Sequence, residues 1–146
     1  MTSDLELIVT RRFDAPAELV FDAWLDANHA GRWWFATADG EMQRVEIDPR
    51  VGGSFLIVEK RGDVLAEHIG KFIEIDRPRR LVFSYVTNGE TTPTTVTIDI
   101  QAVEGGCELT LRHSIPPKWA HYSEKVRAGW TMILDGLART LTEVAS

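Results

Sequence analysis

The chain has 146 residues, 44% apolar and 26% charged, a balance that suits one ordinary globular domain with enough apolar surface for a substantial core. Its sixteen Lys and Arg are scattered among twenty-two Asp and Glu, and the net charge of −6 excludes the clustered basic footprint that nucleic acid binding requires. The single cysteine, Cys107, excludes an internal disulfide, and no Cys/His spacing fits structural zinc, so neither a metal nor a cofactor is expected.

The opening stretch MTSDLELIVTRRF enters an alternating strand pattern directly, without a basic and apolar leader, and no apolar run approaches transmembrane length. The expectation is an untargeted cytoplasmic protein of bacterial type that binds no membrane. Leu5, Leu7 and Val9 alternate with Glu6, Ile8 and Thr10 in a strand running to about Phe13. Asp14-Ala15-Pro16 then supplies a capping residue and a proline suited to a first helical turn, and Leu19, Val20, Ala23 and Trp24 follow at helical spacing. Asp26-Ala27-Asn28 reads as a second N-cap, which predicts a short helix carrying His29 to Trp33. From about Gln43 to Ser114 six strands follow, QRVEID, GSFLIVEK, VLAEHIGKFIEI, RLVFSYV, TTVTIDIQA and CELTLRHS. The turn chemistry between them, Pro49 to Gly53, Arg61-Gly62-Asp63, Asp76-Arg77-Pro78, Asn88-Gly89 and Gly105-Gly106, predicts an antiparallel meander. Val96, Ile98 and Ile100 alternate with Thr95, Thr97, Asp99 and Gln101, which gives the sheet a dry face and a wet one. After Pro116-Pro117, Val126, Trp130, Ile133, Leu134, Leu137, Leu141 and Val144 step by three and four residues along one long amphipathic helix. Its dry stripe suits the dry face of the sheet, so the chain reads as one two-layer α+β domain over residues 1–146.

Two features invite a functional reading. Gly129 and Gly136 lie seven residues apart in the long helix, and each costs about 1 kcal/mol relative to alanine. Either they open space for a ligand between helix and sheet, with Trp130 as an apolar wall, or they allow close packing with no cavity. The run His29-Ala30-Gly31-Arg32-Trp33-Trp34-Phe35 poses the same choice. Its three rings either plug the open end of the sheet or rim the entrance of a pocket, and because neighbouring rings cannot share a direction, at least one is expected to be partly exposed or to face a cavity.

His113 shares its face with Leu109 and Leu111, and Tyr85 with Leu81 and Phe83, so both polar groups are expected to point inward. Inside, each needs a partner, either a ligand or another core group. His68 lies in a strand with apolar residues on both faces, which leaves its direction open. His29 and His121 fall on surface helices and Asp99 on the wet face, and no role attaches to them. No G-x-S-x-G elbow, Cys/His nucleophile spacing, H-E-x-x-H or phosphate loop is present, and Gly52-Gly53 leads into a strand and cannot form a helix N-terminal phosphate site. No catalytic set is identified.

Taken together, FDAPAELVFDAWLDANHAGRWW, VEIDPRVGGSF, GKFIEIDRPRRLVFSY, TTVTIDI with GGCELTLRHS, and GWTMILDGLARTL resemble the family named for the activator of the heat-shock-protein-90 ATPase, within the START-like (SRPBCC, birch-pollen-allergen-like) superfamily. The resemblance runs from about Leu5 to Leu141. It implies a helix-grip fold, in which a curved antiparallel sheet wraps around the long C-terminal helix and two short helices after the first strand close one end. It also implies a cavity between sheet and helix, which relatives use for lipids, sterols, polyketides and other apolar molecules. Most relatives bind, some are aromatase or cyclase enzymes, one resistance protein of similar fold is cleaved by its own ligand, and the namesake contacts a chaperone. The Trp-Trp pair is usually followed by Gly-Pro in the family, whereas Phe35-Ala36-Thr37 stands here and adds a ring at the mouth. The expectation is therefore a binding protein for a small apolar or aromatic ligand, monomeric or homodimeric. The candidate lining is Trp33, Trp34, Phe55, Tyr85, Ile98, Leu111, His113, Trp130 and Leu134, with Tyr85 and His113 orienting the ligand. A chaperone-contacting module and a cyclase- or hydrolase-type enzyme are the alternatives.

Overall fold

The computed structural model describes residues 5–36, 39–87 and 93–145 of the chain. Strand β1 (Leu5–Phe13) leads into two short helices, α1 (Ala17–Ala23) and α2 (Ala27–Ala30). Six strands follow: β2 (Glu41–Ile47), β3 (Ser54–Arg61), β4 (Val64–Asp76), β5 (Arg80–Thr87), β6 (Thr94–Val103) and β7 (Gly106–Ile115). A 3-10 helix (Pro117–Tyr122) then runs into the long helix α3 (Ser123–Ala145). The expected Asn88-Gly89 turn and Thr37 lie outside the described residues.

All seven strands form one antiparallel sheet in the order β1-β7-β6-β5-β4-β3-β2. Strands β2 to β7 are the expected meander. The helical pair carries the chain from one edge of the sheet to the other, so β1 pairs with the last strand, Leu7 opposite His113 and Phe13 opposite Cys107. Strand periodicity carries no information on that pairing, because it depends on where the helices take the chain.

Two local expectations are revised. Pro16 occupies the N-cap of α1, and its carbonyl accepts from the Leu19 and Val20 amides; Asp14 makes no cap bond and its side chain is largely exposed. Asp26 does cap α2, accepting from the Asn28 amide at 3.0 Å. That helix closes at Ala30, however, and residues 31–35 continue as turns.

The core lies between the concave face of the sheet and α3. Along α3, Trp130, Ile133, Leu134, Leu137 and Leu141 are buried at the expected steps of three and four. They meet Phe83, Val96, Ile98, Leu109 and Leu111 from the sheet, in the same buried cluster as Trp24, Trp33 and Trp34. Burying each large apolar side chain contributes about 1.5–3 kcal/mol. In β4, Ala66, His68, Gly70 and Phe72 alternate inward, and the register then shifts at a bulge between Phe72 and Glu74. Both faces of this strand read as apolar because Leu65, Ile69 and Ile73 lie exposed on the outer face. His68, whose direction the sequence left open, points inward.

Candidate functional site

The aromatic run divides its work. From the end of α2 the Trp33 and Trp34 amides reach back to the Ala30 carbonyl, which turns both rings into the core. Trp24 meets Trp33 edge to face at 4.7 Å, and Trp34 packs on Phe55 at 4.7 Å. Opposite Phe55 in the sheet sits Gly70, where a Cβ would fall 2.2 Å from the Phe55 ring, so a side chain there would expel it. Trp33, Trp34 and Phe55 therefore plug one end of the sheet. The indole nitrogens of Trp24, Trp33 and Trp34 are buried without an oxygen or nitrogen partner. Gly136 belongs to this plug, because its Cβ position lies 3.0 Å from Cβ of Trp33 and 3.4 Å from its Cα.

Phe35 does the other job. Its φ of 56° lies in the left-handed region, which costs a bulky residue about 1–3 kcal/mol unless its surroundings hold it. The holding contacts are visible. Arg61, at the end of β3, donates from Nη2 to the Phe35 carbonyl at 3.1 Å, and from Nε to the buried Glu59 carboxylate at 2.6 Å. The Phe35 ring lies parallel to the His68 imidazole, with centroids 3.9 Å apart.

Between this ring and α3 is a cavity of about 230 Å³. Val126, Gly129, Trp130, Met132 and Ile133 line it from the helix, Phe35 and Ala36 from the loop, and Arg61, His68 and Tyr85 from the sheet. A Cβ built on Gly129 meets no atom within 4 Å, so this glycine opens the space whereas Gly136 closes a contact. The two helix glycines thus realise both readings that the sequence allowed. Hollows of about 530 and 590 Å³ elsewhere are wider, but they are walled largely by exposed side chains such as Asp14, Pro16 and Leu19, or Glu18, Arg79 and Gln101. They lack the converging rings of the smaller cavity.

Behind Trp130 runs a short chain of hydrogen bonds. Trp130 Nε1 donates to His113 Nδ1 at 3.0 Å, which makes that nitrogen the acceptor and leaves Nε2–H to donate to Thr94 Oγ1 at 2.8 Å. Burial lowers the His113 pKa to about 4, consistent with this neutral tautomer. Both ring nitrogens are engaged, so His113 orients Trp130 and offers nothing to a ligand. His68 differs. Burial chiefly, and then the Arg61 charge, lower its pKa to about 4, and its Nδ1 is buried without a partner. Burial also raises the Tyr85 phenol, which stays protonated at neutral pH.

Of the residues singled out from sequence, Tyr85 and Trp130 line the cavity. Trp33, Trp34, Phe55, Ile98, Leu111 and Leu134 are packed in the core, and His113 lies one layer back. Phe35, Arg61, His68 and Gly129 join the lining. Gly129 carried a signal in its helix-breaking cost and Phe35 in its place in the aromatic run, while Arg61 carried none, since a cation at a strand end reads as a solvated turn. Among the described residues, no group of three His, Cys, Asp or Glu is arranged to hold a metal, and no helix is long and apolar enough to cross a membrane.

A seven-stranded antiparallel sheet curved around a long C-terminal helix, with short helices after the first strand, defines a helix-grip protein of the START-like class. Within that class the chain belongs to the family described as activator of Hsp90 ATPase homolog 1-like protein, whose profile matches residues 14–142. Among solved structures it is similar to the AHSA1-like protein from Aeromonas hydrophila, at 24% identity, a TM-score of 0.81, and coverage of 97% of this chain and 94% of that one. A protein of unknown function from Staphylococcus aureus superposes with a TM-score of 0.86 at 15% identity, covering 97% and 96%. CalU16 from Micromonospora echinospora is 27% identical, with a TM-score of 0.73 and coverage of 94% and 76%. No curated protein matches the chain.

Proposed function

We propose that this protein is a cytoplasmic binding protein that holds one small apolar or aromatic molecule in the cavity between the Phe35 loop, the sheet and α3. The observation that carries the reading is the unfilled space at Gly129, bounded by Phe35, Tyr85 and Trp130. An element that only packs gains by filling such a gap, and here the helix forgoes about 1 kcal/mol to keep it. At about 30 Å³ per water-sized volume, 230 Å³ takes roughly eight such volumes, enough for a single ring with short substituents. Protonated Tyr85, fully engaged His113 and a His68 whose lowered pKa makes it a weak base supply no activated nucleophile, which favours binding over catalysis. Native mass spectrometry after incubation with an extract of apolar and aromatic metabolites tests the reading. A discrete adduct on the wild type, absent from Gly129→Leu, is the expected result; a wild type that stays bare refutes it.

A second reading, contact with a chaperone, draws support from the outer face of β4, where Leu65, Ile69 and Ile73 are each about half exposed in one row. Purified Hsp90 should then bind the wild type and lose affinity for Ile69→Lys; equal binding, or none, removes this reading.

A further inference from the structure

The outer face of the sheet, turned away from α3, is polar at β6, where Thr95, Thr97 and Asp99 stand in line. At β4 the same face carries Leu65, Glu67, Ile69, Lys71 and Ile73, all exposed. Leu65, Ile69 and Ile73 are 52%, 48% and 50% exposed. Their order is symmetric about Ile69, with an acid two residues before it and a base two residues after, and an aliphatic side chain four residues away on either side. Across the strands Ile69 lies between Leu56 of β3 and Val86 of β5, so an apolar row also crosses the sheet at that point. The residues opposite Lys71 are Ser54 and Ser84, neither of them acidic.

We propose that this face is covered by a second copy of the chain, the two sheets packed outer face to outer face about a twofold axis that lies along the row Leu56, Ile69 and Val86. Rotation about that axis turns β4 antiparallel to its copy, within the roughly 30° at which aligned sheets stack. Leu56, Ile69 and Val86 then each meet their own counterpart, and Leu65 meets Ile73 of the second copy. Glu67 meets Lys71 of the second copy, and the symmetry forms that pair twice. A parallel superposition would instead set Glu67 against Glu67 and Lys71 against Lys71, which like-charge repulsion disfavours. The outer face is convex, which confines contact to β3, β4 and β5, so the area falls below the standard of about 800 Å² per partner and the dimer is a weak one. The inference does not depend on the cavity, and it gives the row on β4 to a second copy in place of a chaperone.

Sedimentation equilibrium between about 10 µM and 1 mM should show the wild type passing reversibly from monomer to dimer. Ile69→Lys, which puts two like charges on the axis, should weaken the dimer at least about tenfold, with circular dichroism as the check on folding. Glu67→Lys and Lys71→Glu should each weaken it about three- to thirtyfold, because two attractive pairs become repulsive ones. An equimolar mixture of these two variants decides the geometry. One copy then carries two lysines on the row and the other two glutamates, both pairs are attractive again, and the mixture should dimerise at least as tightly as the wild type. A wild type that stays monomeric throughout that range overturns the proposal, and purified Hsp90 binding to this monomer through Ile69 would assign the row to a chaperone. A dimer indifferent to Ile69→Lys places the interface elsewhere. A mixture that dimerises no better than either charge variant alone overturns the twofold arrangement, and this arm decides even if Ile69→Lys does not fold.

Discussion

The two glycines of α3 should respond to the same mutation with opposite signs. At Gly129 an added Cβ touches nothing within 4 Å, so Gly129→Ala takes the helix-propensity gain of about 0.8–1.0 kcal/mol undiminished. For a chain of this size that raises Tm by about 3 °C. At Gly136 the same methyl group lands 3.0 Å from Trp33 Cβ and 3.4 Å from Trp33 Cα. The latter is backbone, and Trp33 is itself wedged between Trp24 and Trp34, so relief requires moving α3 or the loop. Overpacking of this kind costs about 1–3 kcal/mol, which exceeds the propensity gain and leaves Gly136→Ala less stable than wild type. Urea unfolding followed by circular dichroism, with the midpoint compared at unchanged slope, measures both. If Gly136→Ala stabilises as much as Gly129→Ala, the assignment of one glycine to packing and the other to open space is wrong.

Further consequences concern the buried polar groups. His68 and His113 both have pKa values lowered to about 4, below the 6.5 of an unfolded chain, so between those limits the unfolded state binds protons that the native state refuses. Stability is therefore complete above about pH 6.5 and falls by up to about 3 kcal/mol per histidine as the pH drops toward 4. The loss between pH 7.5 and pH 5 should shrink in His68→Phe, and an identical pH slope in that variant would contradict it. Thr94→Val strips the acceptor from His113 Nε2–H and should cost about 1–3 kcal/mol in urea unfolding, with a changed Trp130 fluorescence. Arg61→Met removes the guanidinium from Glu59 and from the Phe35 carbonyl; it should cost about 1–3 kcal/mol and speed amide exchange at residues 33–36, which an unaltered exchange pattern would refute.

How much of this was legible beforehand follows from the kind of interaction involved. Strand alternation and the three-and-four step of α3 are local periodicities, and they placed β1 to β7 and the helix within a residue or two at most ends. The pairing of β1 with β7 is non-local and left no mark in either strand. Aromatic and inward-facing residues were recognisable as interior, but interior covers two situations. Trp34, Phe55 and Ile98 share their parity with neighbours that also fill space, while Tyr85 and Trp130 border a gap left by the missing side chain of Gly129. No pattern in the chain separates a packed ring from a lining ring. The deepest gap was at Arg61, Glu59 and Phe35, where a charged pair at the end of β3 secures a left-handed residue 26 positions earlier. A carboxylate followed two residues later by an arginine reads as exposed strand decoration, and only the curvature of the sheet over the loop buries Glu59 and turns Arg61 into a clamp.

A crystal structure of the protein grown with toluene would show whether the space at Gly129 takes a ligand. Binding there predicts density for one ring against the open side of Gly129, beside Phe35 and Trp130. Density only in the hollow beside Pro16 and Leu19, or a cavity that remains empty at saturating toluene, would contradict it.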